Sequence, residues 1–269
     1  MYNLLKGKKG IIFGSLDEKS IAWITALKCS EEGAQIVLSN APVAMRMGEI
    51  NKLAEKINAP GIACDVSNGE DVENLIIKTM EHFGGGFDFI LHSIGMSLNV
   101  RKGKHYTEID YAHNLKTFEI SSMSLHRVLA ACMRHDALNE WGSVVALTYI
   151  AAQRVFPDYN EMADAKSLLE SVARSFGYHY GVKKHVRINT VSQSPTRTTA
   201  GSGVKGFDGF ISYAEKMSPL GNASAEDCGN YCVTLFSDLT RMVTMQNLFH
   251  DGGFSNTGVT SGVIEQMGK

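Results

Sequence analysis

Short apolar runs alternate with helical patterns along the whole chain, and this alternation constrains the fold more than any other feature. The strand-like runs are 10–13, 35–38, 61–63, 87–91, 143–147, 186–191 and 245–249. Helical patterns lie between them at 20–32, 43–57, 69–83, 112–134, 160–181 and 225–237. Several strand-like runs are continuously apolar, which is typical of strands buried on both faces of a parallel sheet. Because repeated β-α-β units have right-handed crossovers, the sequence predicts a doubly wound α/β fold: a seven-stranded parallel sheet with helices on both faces.

One long irregular stretch, 194–222, interrupts the alternation near its end. The chain has 269 residues, of which 44% are hydrophobic and 20% charged, so it can bury a large core as one domain spanning 1–269. The irregular stretch combines several glycines with apolar side chains. These are Gly201, Gly203, Gly206 and Gly209 among Phe207, Phe210, Ile211, Tyr213 and Met217. The combination is typical of a mobile lid with an apolar inner face, and we expect 194–222 to be a substrate-binding lid.

Charge and cysteine usage exclude several classes of protein. The chain has 26 basic and 28 acidic residues and a formal charge of −2, so we expect no nucleic-acid partner. Cys29, Cys64, Cys132, Cys228 and Cys232 are odd in number and widely scattered, which indicates reduced thiols in a cytoplasm and no metal site. The amino terminus has no apolar run long enough for a signal peptide or membrane span, so we expect no membrane association.

Tyr159 and Lys166 are the strongest candidates for chemistry, and Tyr149 adds a second phenol ahead of them. Residues seven apart on a helix differ by about 20° around its axis and about 10 Å along it, so both can face one cleft. Hydride delivered to a conjugated carbonyl compound leaves an enolate oxygen that needs a hydrogen-bond donor. A nearby ammonium favours the phenolate and makes the phenol a better donor, and it can also hold ribose hydroxyls. Taken alone, these residues are more typical of core or rim aromatics and a solvated helix lysine.

The first strand-to-helix turn, 14–22, lies where a Rossmann-type fold holds pyrophosphate at a helix N-terminus. The usual glycine-rich signature is absent, but Gly14 permits a tight turn and Ser20 can cap the helix and offer a hydroxyl. Asp65 follows the third strand, where its carboxylate can accept a hydrogen bond from an adenine amino group or cap the next helix. Gly95 follows the fourth strand and lets the backbone approach a ribose or nicotinamide.

Together these residues resemble the enoyl-acyl-carrier-protein reductases, the divergent branch of the short-chain dehydrogenase/reductase superfamily in bacterial type II fatty-acid synthesis. Six residues separate Tyr159 from Lys166, as in this branch, whereas most members of the superfamily have three. The remaining marks follow in chain order and cover residues 8–257. They are Gly14 with Ser20-Ile21-Ala22, the run 92–95, Tyr149 and the run 251–254.

The resemblance implies hydride transfer from a reduced nicotinamide to C3 of a trans-2-enoyl thioester, followed by protonation at C2. Tyr159 would bind the thioester carbonyl and stabilise the enolate, Lys166 would hold the nicotinamide ribose, and Tyr149 would have an auxiliary role on the acyl side. The implied cofactor-binding positions are Gly14, Ser20, Ile21, Asp65, Val66, Ile94, Gly95, Lys166, Thr196, Thr198 and Ala200. The implied substrate-binding positions are Ser97, Tyr149, Tyr159, Met162 and Phe207.

The resemblance favours NADH as the cofactor, although two departures from the family pattern leave NADPH open. Ala41-Pro42 stands where many relatives have a glutamine, and Ser194-Pro195 where they have glycine before proline. No acidic residue near Asn40 selects the free 2′-hydroxyl of NADH. Arg46 follows about a turn later and is a candidate to bind the 2′-phosphate of NADPH.

The expected partners are an acyl-carrier protein bearing the substrate and three further copies of the chain in a homotetramer. The basic segment 101–105 is either a docking site for the acidic carrier or a solvated loop. Two other functions stay open on the same fold: a carbonyl reductase or alcohol dehydrogenase, and a catalytically silent nucleotide-binding subunit. The presence of both Tyr159 and Lys166 argues against the silent subunit.

Overall fold

Seven parallel strands form one sheet at the centre of the molecule. The structure is a computed structural model that describes residues 2–46, 49–199 and 206–268. The strands are β1 (Lys9–Phe13), β2 (Gln35–Asn40), β3 (Gly61–Ala63), β4 (Phe87–His92), β5 (Leu138–Thr148), β6 (Arg187–Gln193) and β7 (Asn247–His250). They lie in the order β3-β2-β1-β4-β5-β6-β7, and each neighbouring pair is parallel. The predicted seven-stranded, Rossmann-type sheet is confirmed.

Helices cover both faces of this sheet. They are α1 (Ile21–Glu31), α2 (Pro42–Arg46), α3 (Glu49–Lys56), α4 (Gly69–Phe83), α5 (Leu98–Arg101), α6 (Tyr111–Phe118), α7 (Ser124–Arg134), α8 (Asn160–Lys184), α9 (Phe207–Met217), α10 (Ala225–Phe236) and α11 (Ser261–Met267). One core packs α4, α7 and α8 against the sheet, and the other packs α1, α3 and α10. Ile11 and Phe13 of β1 enter the first core and Ile12 enters the second, because successive strand residues point to opposite faces. No helix among the described residues is long and apolar enough to cross a membrane.

The predicted single helix 112–134 is wrong, because a π-helical turn, Glu119–Met123, separates α6 from α7. The Ser121 hydroxyl accepts from the backbone N–H of Met96 at 3.0 Å and donates to its carbonyl at 3.1 Å. The Ser122 hydroxyl donates to the carbonyl of Ala165 at 2.5 Å. Serine side chains that bond to neighbouring backbone accompany a locally widened helix, and such turns often occur at functional sites.

Two further boundaries differ from the sequence-based prediction. The predicted helix 43–57 corresponds to α2 and α3, with 47–48 outside the described residues. The stretch 194–222 was expected to be irregular, but 207–217 forms α9. Its apolar positions Phe207, Phe210, Ile211 and Ala214 have the spacing of one helix face, a signal that the neighbouring glycines obscured.

Candidate active site

A cavity of about 280 Å³ lies at the carboxyl ends of β4, β5 and β6. Parallel strands end at the same edge of a sheet. In this sheet the strand order reverses between β1 and β4, and ligands bind at such a reversal in open α/β sheets. The sequence-predicted residues that line this cavity are Ile21, Ile94, Gly95, Ser97, Tyr149, Tyr159, Met162, Lys166, Thr196, Thr198 and Phe207. The fold therefore brings together most of both predicted sets.

Lys166 reaches the cavity from the second turn of α8 and is only 7% exposed. Its ammonium donates to the carbonyl of Leu147 at 2.8 Å and to that of Ile94 at 3.4 Å. Burial lowers the pKa of Lys166 to about 8, and the charge of Glu170 acts in the opposite direction. An ammonium has three N–H groups, so one is left for a ligand.

Tyr149 and Tyr159 pack against each other at the cavity wall, with ring centroids 5.2 Å apart at 60°. Burial raises the pKa of Tyr159 to about 12. The pKa of Tyr149 is also raised, by burial first and then by Tyr159 and Asp251. Burial thus shifts the pKa of Tyr159 upward, opposite to the direction in which a nearby ammonium would shift it. Both phenols are therefore neutral hydrogen-bond donors near neutral pH.

Ser97 lines the cavity, but its hydroxyl is bonded within the protein. It donates to Oε1 of Glu161 at 2.5 Å and accepts from the N–H of Val100 at 3.0 Å, which caps α5. Thr117 donates to the same carboxylate oxygen at 3.2 Å. Sequence reasoning missed the fully buried Glu161, because an acidic residue in the first turn of a helix is ordinarily solvated.

Glu170 is a second buried carboxylate that sequence reasoning missed, one turn beyond Lys166 on α8. It is 4% exposed. Its Oε1 accepts from the Thr148 hydroxyl at 3.0 Å and its Oε2 from Nε2 of Gln153 at 3.2 Å. Within the described ranges, no carboxylate lies within 4 Å of the Lys166 ammonium, so Glu170 acts on Lys166 at longer range.

The segment after β6 contributes the predicted Thr196 and Thr198 to the cavity. The Thr196 hydroxyl donates to the carbonyl of Ser194 at 2.9 Å. The Thr199 hydroxyl donates to the carboxylate of Asp17, which joins this segment to the first strand-to-helix turn. The predicted Ala200 lies outside the described residues. Gln193, which no sequence motif singled out, also lines the cavity and contacts Thr196.

Four predicted cofactor positions lie at the same sheet edge but outside the cavity lining: Gly14, Ser20, Asp65 and Val66. Gly14 has φ +96°, and a Cβ there would lie 2.0 Å from the carbonyl oxygen of Ser93, so only glycine fits. Ser20 caps α1, where its hydroxyl accepts from the N–H of Trp23 at 3.3 Å. Asp65 is exposed and Val66 is buried.

The cavity combines two neutral phenols and one available ammonium N–H with mostly apolar walls. Such an arrangement can stabilise negative charge that develops on a ligand oxygen, because oriented donors act strongly where water is excluded. Across the described residues, no group of three or more His, Cys, Asp or Glu side chains is arranged to hold a metal ion. The five cysteines are free and buried.

Comparisons with known proteins give one consistent result. A family model described as "Enoyl-(Acyl carrier protein) reductase" matches residues 14–255. The enoyl-acyl-carrier-protein reductase (NADH) 2 of Rhizobium meliloti is 32% identical over 262 residues, covering 96% of this chain and 96% of that protein. The crystal structure of a FabI–NADH complex from Alistipes finegoldii has a TM-score of 0.95 at 64% identity, covering 96% of this chain and 92% of that one. The NADH-dependent enzyme from Aquifex aeolicus has a TM-score of 0.88 at 32% identity, covering 96% and 100%.

Proposed function

Because the chain belongs to the enoyl-acyl-carrier-protein reductase family, we propose that it reduces the C2=C3 double bond of trans-2-enoyl thioesters carried on acyl-carrier protein. This reaction is the last step of each fatty-acid elongation cycle. The observation that carries the proposal is the presence of Tyr159 and Lys166, at the spacing typical of this branch, in one cavity. The relatives named as NADH-dependent reductases, and the relative solved with NADH, support NADH as the cofactor.

The residues at the cavity fit a nicotinamide dinucleotide. Beside the cavity, Gly14 lets the turn after β1 pack against the carbonyl of Ser93, and α1 begins after this turn with backbone N–H groups that can bind phosphate. Lys166 has an N–H available for ribose hydroxyls. When bound, NADH supplies the hydride. We assign its binding to Gly14, Ser20, Ile21, Asp65, Val66, Ile94, Gly95, Lys166, Thr196, Thr198 and Ala200.

In the proposed mechanism, the neutral phenol of Tyr159 donates a hydrogen bond to the thioester carbonyl oxygen. As C3 accepts the hydride, negative charge develops on that oxygen, and the bond strengthens because it lies in a buried site. Protonation at C2, which takes up one proton from solvent, completes the reduction. Lys166 holds the ribose in place, and Tyr149 supports Tyr159 through the ring contact. Met162, Phe207 and Ser97 form the wall along the acyl chain and exclude water.

We propose that 194–222 serves as the substrate lid of a single reductase domain spanning 1–269. Phe207 and Phe210 of α9 line the cavity. The Phe210 ring lies 5.8 Å, centroid to centroid, from that of Phe156 near the entrance to α8. These contacts support an apolar inner face, although 200–205 lie outside the described residues.

The proposed partners are an acyl-carrier protein and further copies of this chain in the cytoplasm. Arg101 lines the cavity, and 102–105 are exposed beside it, which supports docking of an acidic carrier here. On α8, Tyr178 is 60% and Val182 72% exposed. Such apolar side chains on a long helix support an interface within a homotetramer formed through α8 and β7.

The test is the loss of reduced-nicotinamide absorbance when the purified protein meets crotonyl or dodecenoyl thioesters with NADH or with NADPH. Oxidation of NADH that depends on the thioester is the expected result. A protein that binds NADH but turns over ketones and no enoyl thioester would contradict the proposal and favour a carbonyl reductase. Preference for NADPH would contradict the cofactor assignment alone.

A further inference from the structure

Gln193 is the last residue of β6, is 5% exposed and lines the cavity. Its Nε2 donates to the carbonyl of Ala223 at 3.0 Å and to that of Ser224 at 3.3 Å. The same nitrogen lies 3.3 Å from the Thr196 hydroxyl, so its two N–H groups are shared among three acceptors. One side-chain amide therefore joins both ends of the segment 194–222, which is also held by the bond of Thr199 to Asp17 and by that of the Leu220 N–H to the carbonyl of Gly252.

His250, at the end of β7, determines the orientation of this amide. Its Nδ1 lies 2.6 Å from Oε1 of Gln193. Because an amide oxygen only accepts hydrogen bonds, Nδ1 must carry the proton and donate. The imidazole ring stacks on Tyr231, with centroids 4.9 Å apart and planes at 9°. The contact holds the Gln193 oxygen toward His250 and the Gln193 nitrogen toward the two carbonyls.

The backbone around Ser194 is tied in the same place. The Ser194 N–H donates to the carbonyl of His250 at 3.1 Å, and its hydroxyl accepts from the N–H of Ala223 at 3.1 Å. These bonds hold residue 194 itself but do not reach Thr196. Two bonds connect this base to Thr196, a position we assign to the cofactor: the Thr196 hydroxyl donates to the carbonyl of Ser194 at 2.9 Å and accepts from Nε2 of Gln193 at 3.3 Å.

We propose that Gln193 is a positioning residue that holds the 194–196 backbone in its cofactor-binding conformation, with His250 keeping the Gln193 amide in the correct orientation. The inference rests on the proposed function, because it assumes that 194–196 contacts NADH. It predicts that loss of the amide weakens NADH binding more than it slows the chemical step, since Gln193 touches neither Tyr159 nor Lys166 in any hydrogen bond found here.

Asn189 provides a matched control on the same strand. It is fully buried, and its Nδ2 donates to the carbonyl of Val243 at 2.8 Å while its Oδ1 accepts from the N–H of Gln246 at 3.1 Å. It is therefore another buried amide that ties down a loop. It lies toward the amino end of β6, however, and is not part of the cavity lining.

The experiment compares Gln193→Ala with Asn189→Ala by thermal melting, by fluorescence titration with NADH and by steady-state kinetics. Both variants are expected to melt at lower temperature. Only Gln193→Ala is expected to raise the Kd and KM for NADH, by roughly fivefold or more, which corresponds to the loss of at least one buried hydrogen bond. Its kcat at saturating NADH is expected to stay within about twofold of the wild-type value.

Two further variants keep the test decisive if Gln193→Ala folds poorly. Gln193→Glu keeps an acceptor for His250 but cannot donate to Ala223 or Ser224, so NADH binding should weaken at least as much. His250→Phe keeps a ring on Tyr231 but releases the amide, so the effect should be smaller and in the same direction.

Wild-type NADH affinity in Gln193→Ala or Gln193→Glu would overturn the inference, as would equal weakening by Asn189→Ala. A wild-type protein that bound no NADH would instead overturn the proposed function itself.

Discussion

Helix α8 and the segment after β6 line the same cavity but hold their polar groups by different means. Lys166 on α8 is fixed by backbone carbonyls of Leu147 and Ile94. Thr196 after β6 is fixed by the side chain of Gln193 and by the carbonyl of Ser194. A strand carbonyl stays in place whichever side chain its residue has, whereas a side-chain amide is lost by one substitution. We therefore expect a supporting side chain after β6 to be sensitive to substitution, whereas on α8 the effect should come from replacing the functional side chain itself.

The largest effect should come from Tyr159→Phe. Removing the phenolic hydroxyl takes away the donor to the developing enolate, so kcat for enoyl thioesters should fall by about 100-fold or more. NADH affinity should stay close to the wild-type value in a fluorescence titration. Tyr149→Phe is the comparison variant and should cost much less. A greater loss in Tyr149→Phe would reverse the roles assigned to the two tyrosines.

Lys166→Ala should have the next largest effect, acting mainly on the cofactor. Loss of the ammonium should raise the Kd for NADH by about tenfold, since a charged donor to ribose hydroxyls contributes roughly 1.5–3 kcal/mol. Lys184→Ala is a matched control, because Lys184 lies on the same helix and donates to the carbonyl of Leu138 at 2.8 Å, away from the cavity. Equal weakening in both variants would indicate damage to α8 rather than a lost contact.

Glu170→Gln should change the pH dependence of NADH binding. The groups around Lys166 are Glu170 on its own helix, His92 on β4, and Tyr149 and Tyr159. Both phenols are neutral, and burial together with Lys166 lowers the pKa of His92 to about 3. NADH affinity should fall as Lys166 loses its proton, near pH 8. Because Glu170 raises the pKa of Lys166, replacing Glu170 by neutral glutamine should move this fall to lower pH.

The stability of the fold should depend on pH in the opposite direction from NADH affinity. The folded-state pKa of Lys166 is about 8, below the ordinary 10.5, so the unfolded chain binds more protons between these values. The contribution of Lys166 to stability therefore increases as the pH rises through this window, while NADH affinity falls.

Glu161→Gln is the control for Glu170→Gln, since Glu161 is buried on the same helix but bonds to Ser97 and Thr117. If Glu161→Gln moved the pH at which NADH affinity is lost as far as Glu170→Gln does, Glu170 would not be the group that raises the pKa of Lys166.

Phe210→Ala should have the smallest effect and should act through the lid. Losing its ring contact with Phe156 should raise KM for dodecenoyl thioester by about threefold, in line with the value of one aromatic pair, and affect crotonyl thioester less. Tyr213→Ala removes another aromatic of α9 that packs on Phe254, and Tyr213 is not part of the cavity lining. An equal change for both acyl lengths would argue against a lid that encloses the chain.

Sequence patterns were sufficient for the fold, and the family resemblance pointed to residues that the cavity brings together. Continuous apolar runs and helical periods predicted seven parallel strands, because a strand that is buried on both faces is apolar at consecutive positions. The seven-residue step from Tyr159 to Lys166 likewise predicted that both face one cleft; in the structure both line the cavity, with Tyr159 immediately before α8. The π-helical turn was missed, because serines that bond to a neighbouring segment produce no periodic pattern in the sequence.

Tertiary structure alone decided how these groups are held and charged. Gln193 bonds to Ala223 and His250, which are 30 and 57 residues away, and the carboxylates of Glu161 and Glu170 are buried by elements far from them in sequence. The charge states follow the same rule: the sequence placed an ammonium near a phenol, but packing removed water from both. A pKa depends on burial and on neighbours in space, and residue order carries neither until the chain has folded.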